Sequence, residues 1–107
     1  MSQTKYKMES ERRCLVVQFC RMYDNYIKHP NPLRSSITKI IDDNRHLIGA
    51  DILSDEIRDI MRRAIWHSTL HAKDYPYEVW NIPTISRNEF YERKRKFIYS
   101  IAHDIGI

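Results

Sequence analysis

Apolar residues recur at three- and four-residue spacings along almost the whole chain, a period that belongs to amphipathic helices. Met8, Leu15, Phe19, Met22, Tyr23 and Tyr26, with Val16 and Ile27 beside them, mark one helix from about Lys5 to Lys28. Glu9, Arg12, Arg13, Arg21 and Asp24 fill its other positions. The run His29-Pro30-Asn31-Pro32 stops it, because proline lacks an amide donor and restricts the residue before it. A second helix is predicted from Leu33 to Leu47, with Ile37, Ile40, Ile41 and Ile48 as its stripe and Gly49 where a left-handed cap is wanted. Ser54 reads as the N-cap of a third, with Asp55 and Glu56 set against the helix dipole. That helix extends to about Lys73, lined by Ile57, Ile60, Met61, Ala64 and Ile65.

Tyr75-Pro76 and Pro83 bracket a short helical turn at Tyr77 to Trp80. The final helix has the clearest start signal in the chain. Ser86 is an N-cap, Glu89 three residues later completes a capping box, and Ile85 and Phe90 stand at the two positions of a hydrophobic staple. Phe90, Phe97, Ile98, Ile101 and Ile105 form its apolar face, and Gly106 is its C-cap. No alternating run competes with the helical period. The fold class is therefore all-α, a compact bundle of four main helices forming a single domain over residues 1–107.

Composition narrows the function classes. Only two glycines are present, which argues against phosphate-cradling loops and tightly turned β meanders. Cys14 and Cys20 lie six apart on one helix, on different faces, which disfavours a disulfide and suits two buried, reduced thiols. The polar start MSQTKYKMESERR lacks the apolar run of a signal peptide, and no window approaches a transmembrane span. A cytoplasmic location with no membrane partner is expected.

The formal charge of +4 is unevenly placed. Between residues 86 and 97, Arg87, Arg93, Lys94, Arg95 and Lys96 face only Glu89 and Glu92. The first turns of the last helix present Arg87, Asn88, Tyr91, Lys94 and Arg95 away from the Phe90/Phe97 face. Guanidinium and carboxamide groups are those that read guanine and adenine edges in the major groove, and further cations suit phosphates. A solvated helix face, with Glu89 and Glu92 pairing to Arg93 and Lys96, is the plainer alternative.

Other constellations carry less chemistry. His67 and His71 share a helix face, but the glutamate a zincin needs after the first histidine is replaced by Ser68, so no metal site is assigned. Asp42-Asp43 and Asp55-Glu56 are sequence neighbours that point apart, so neither makes a catalytic dyad. No catalytic residues and no cofactor are expected, and the chain reads as a binder rather than an enzyme. Tyr75, Tyr77, Trp80 and Tyr91 gather around the last turn, as suits a core edge or a binding surface.

The segment from Pro76 to Ile98 resembles the helix-turn-helix of small phage and prophage transcription regulators of the ArpU and RinA type, related to sigma-factor region 4. Those end in a pattern Ile-Ser-x-x-x-Phe-Tyr-x-x-Arg followed by basic residues, matched here by Ile85-Ser86, Phe90-Tyr91 and Arg93. The resemblance covers about a fifth of the chain and implies a helix-turn-helix at its C-terminal end. The helix starting at Arg87 would be the recognition helix, with Arg87, Asn88 and Tyr91 towards bases and Lys94 and Arg95 towards phosphates. The sequence departs from the pattern before the turn, where Pro76 and Pro83 leave barely two helical turns and Val79-Trp80 is bulky. Double-stranded DNA is the partner so implied, with a homodimer through the first helix and a host transcription protein as further candidate partners. The competing expectation is a small helical interaction module that inhibits or adapts a host protein without touching nucleic acid.

Overall fold

A computed structural model describes residues 6, 8–71, 82 and 85–107. Among them are five helices and no strand. They are α1 (Ser10–Arg21), α2 (Tyr23–Lys28), α3 (Pro32–Leu47), α4 (Asp55–Leu70) and α5 (Arg87–Ile105). The expected short turn at 77–80, and with it the aromatics Tyr75, Tyr77 and Trp80, lies outside the described residues.

The expected single helix from Lys5 to Lys28 is divided at Met22. Its φ of −85° and ψ of −2° tighten the turn, and its amide donates to both Gln18 and Phe19 carbonyls. The bend lets Tyr23 leave the line of α1, donate to Asp42 Oδ1 at 2.7 Å and meet Trp66 edge-on. Burial on α1 is also rotated by about one residue from the expected stripe. Val16 and Cys20 are in the core, whereas Leu15 and Met22 are exposed. Cys14 is exposed too, contrary to the expectation of two buried thiols, and both cysteines are free.

Pro32 proves to be a start as well as a stop. It occupies the first turn of α3, with Asn31 as N-cap accepting from the Arg34 amide at 2.8 Å. At the far end Ile48, not Gly49, is the C-cap, and the backbone enters a type II turn. Ile48 has φ −62° and ψ 121°, Gly49 has φ +69°, and the Ala50 amide donates to the Leu47 carbonyl. A side chain at Gly49 would be strained by that φ and would press on Ile52 and Arg58. Helix α4 starts at the Ser54 cap and stops at Leu70, short of the expected Lys73, because His71 leaves helical space at φ −136°.

Helix α5 packs on α1, α3 and α4, and α2 packs on α3. Phe90, Phe97, Ile98, Ile101 and Ala102 are buried along α5 against Val16, Ile41, Met61 and Ile65 from the other helices. The Ser86 hydroxyl accepts from the Glu89 amide at 3.1 Å, and both staple residues, Ile85 and Phe90, are buried. The Glu89 carboxylate, however, turns to Arg93. Gly106, with φ +93°, ends the helix, and the Gly106 and Ile107 amides both return to the Ala102 carbonyl.

Two outcomes follow from this packing. Phe90→Ala, at a fully buried ring, is expected to lower unfolding free energy by about 3–5 kcal/mol in urea melts, while Leu53→Ala, at a side chain 98% exposed, stays within about 0.5 kcal/mol of wild type. A thiol reagent is expected to label Cys14 in the native state and Cys20 only after unfolding, since burial pushes the Cys20 pKa up to about 12.

Candidate functional site

Helix α5 carries the basic residues of the expected reading face and one wall of a groove. Its rotation is set by the buried Phe90, Phe97, Ile98 and Ile101, which leaves one flank open in the first turns and another facing the α3–α4 turn.

The five residues expected to form the reading face divide into two groups. Arg87 and Asn88, in the first turn, are exposed, and so is Arg95 two turns on. Arg87 lies over the Tyr91 ring at 5.7 Å, and Arg95 donates to Glu92 Oε2 at 3.3 Å. Tyr91 is half-buried with its ring edge-on to Phe90. Lys94 is half-buried as well. Its Nζ donates to the Ser68 carbonyl at 3.1 Å, in the last turn of α4, where a cation complements the negative end of the helix dipole. Burial first, and then the charges of Arg13 and Arg95, hold the Lys94 pKa below the ordinary lysine value. Arg21 treats the same helix end likewise, its Nε donating to the Leu70 carbonyl at 3.3 Å.

On the other flank Arg93 forms a clamp. Nη1 and Nη2 donate to the two Asp51 carboxylate oxygens at 2.7 and 2.9 Å, and Nε donates to Glu89 Oε2 at 3.1 Å. The bidentate geometry joins the α3–α4 turn to α5. It raises the Arg93 pKa and, through these hydrogen bonds, lowers that of Asp51 to about 2. Beside the clamp is an open groove of about 570 Å³, lined by Ile48, Ala50 and Phe97 together with Asn44, Lys96 and Ser100. Both amide protons of Asn44 are used, on the Ile40 carbonyl and on Asp104 Oδ2, so its remaining capacity is as an acceptor. Sequence reasoning anticipated the Glu89–Arg93 pair but not this groove. Its walls are about forty residues apart in the chain, and only the turn signal at Gly49 pointed to one of them.

His67 and His71 stack with ring centroids 6.3 Å apart. Among the described residues no three histidine, cysteine or acidic side chains converge as metal ligands, and no helix is long and apolar enough to cross a membrane. Asp42 accepts from Tyr23 and Asp43 pairs with Lys39, so the neighbouring acids serve separate contacts. No family model, no curated protein and no solved structure matches the chain.

The clamp has a pH signature. A folded-state pKa below the ordinary value near 4 means the pair stabilises the fold at neutral pH, and this contribution fades as pH falls from about 4 towards 2. Carboxyl-detected NMR is expected to place the Asp51 midpoint near 2, and Arg93→Gln to return it towards the ordinary range. An Asp51 midpoint that Arg93→Gln leaves unmoved would refute the assignment.

Proposed function

We propose that this chain is a DNA-binding transcription regulator, of the kind found in phages and prophages, that reads double-stranded DNA with the N-terminal half of α5. The observation that carries this reading is the exposure of Arg87 and Asn88 in the first turn of a helix anchored along its length in the core. A recognition helix meets base edges with its N-terminal residues, and it needs a rigid mount to hold them in register. Arginine pairs with guanine and asparagine with adenine, and the nearby Arg95 is suited to a phosphate. Lys94, bound to α4, acts as part of the mount. The partner helix of a helix-turn-helix would fall largely within residues 72–84, of which only Ile82 is described. Leu15 of α1 and Met22 at its C-cap, both exposed and seven residues apart, provide apolar area for a second copy on a two-fold-symmetric site. The activity so proposed is binding, with no reaction catalysed.

A second reading, a helical module that inhibits or adapts a host protein, is favoured by the groove beside Arg93. Its mixed apolar and charged lining suits an inserted side chain of a partner.

Fluorescence anisotropy with mixed-sequence duplex DNA across a salt series separates the two. Binding is expected to weaken log-linearly with salt, and the double variant Arg87→Glu/Arg95→Glu to weaken it by roughly 100-fold while keeping wild-type helicity. Absence of wild-type binding at low salt would overturn the DNA reading in favour of the second.

A further inference from the structure

Asn44 of α3 is only 3% exposed, yet it lines the groove beside Arg93. Its carboxamide is fixed in orientation. Nδ2 donates to the Ile40 carbonyl at 2.9 Å and to Asp104 Oδ2 at 3.0 Å. The Asp104 carboxyl, held below the ordinary carboxylate range chiefly by this bond, is ionised at neutral pH and can only accept, so the carboxamide cannot turn over. Oδ1 accepts no hydrogen bond among the described residues. The buried side-chain polar atoms left without a partner among those residues are Arg12 Nε and Arg58 Nε. Asn44 Oδ1 is not one of them, so it keeps access to the groove that its side chain lines. A polar atom held at one place on a mostly apolar lining is the arrangement that orients a small ligand.

The rest of the groove limits the occupant. Its volume of about 570 Å³ falls in the range of roughly 300–1,000 Å³ common to small-molecule sites. Leu47, Ile48, Ala50 and Phe97 contribute apolar surface, and Leu47 is left 64% exposed. Charge is balanced around it. Arg93 binds the carboxylates of Asp51 and Glu89, Arg95 binds that of Glu92, and Lys96 is the third cation against these three acids. Such a groove favours a neutral molecule over an ion, because a charged ligand would lose its hydration without meeting a net opposite charge.

We propose that the groove between α3 and α5 binds a small neutral aromatic molecule carrying one N–H or O–H donor, with the ring against Ile48 and Phe97 and the donor bonded to Asn44 Oδ1. The inference is independent of the DNA reading. It competes with the second reading, in which a partner's side chain enters the same groove.

Indole is the probe, titrated into the full, isotope-labelled chain and followed by heteronuclear NMR. Saturable binding is expected with a dissociation constant of about 1 mM, as suits so small a ligand. The shifts are expected to concentrate at Leu47, Ile48, Ala50 and Ser100 and at the Asn44 side-chain amide. 1-Methylindole keeps the ring and lacks the donor, and is expected to bind about tenfold more weakly. This comparison tests the role of Asn44 without altering the fold. Ala50→Trp, at an exposed position of the lining, is expected to fill the groove and remove the response. No saturable shift at ten times the expected constant, or shifts centred elsewhere, overturns the site. Equal affinity for 1-methylindole overturns the assignment to Asn44. A response to a tryptophan-bearing peptide without one to indole gives the groove to the second reading and overturns the small-molecule site.

Discussion

The burial of one face of α5 is the interaction on which the rest of this structure depends. Phe90, Phe97, Ile98, Ile101 and Ala102 are each covered to within a few percent of completely, and three other helices supply the cover. Removing that much apolar surface from water is the largest favourable term available to a chain of this size. It also settles the rotation of α5, and so determines which of its polar residues remain at the surface.

Polar contacts then tie the neighbouring elements to this helix. Arg93 holds the α3–α4 turn through Asp51, and Lys94 holds the end of α4 through Ser68. Near its other end, Asp104 accepts from the buried Asn44 of α3, and the Arg12 side chain of α1 donates to the Ile107 carbonyl. Around Trp66, Tyr23 and Phe97 meet the indole edge-on while Arg45 covers its face. The first half of α5 thus emerges from a braced frame, a useful property for a helix that presents side chains to a large partner.

Much of the fold was legible in the residues because the signals concerned are local. The Ser54 and Ser86 caps, the Ile85/Phe90 staple and the glycine closing α5 each depend on a few adjacent positions. The stripes of α3, α4 and α5 were legible because each apolar face is bounded by charge. The stripe of α1 was misjudged by about one residue, since Leu15 and Val16, and Phe19 and Cys20, are all apolar and periodicity cannot choose between neighbours. The division at Met22 was hidden for another reason. No proline or glycine marks it, and it accompanies a contact between Tyr23 and Asp42 nineteen residues away. In the candidate site, Arg87, Asn88 and Arg95 were read correctly as exposed positions, but the inward course of Lys94 follows from the carbonyl at Ser68, which helical spacing alone does not reveal.

The sequence by itself determined that this chain is helical, where most of its helices start and stop, and that basic residues crowd the first half of the last one. Those properties follow from backbone dihedral preferences, capping and periodicity, which act over a single turn. Only the tertiary structure decided which cations are engaged and which remain at the surface. It assigned Arg93 to Asp51 and Lys94 to the end of α4. Charge acts through space rather than along the chain, so its distribution became defined only once the helices were packed.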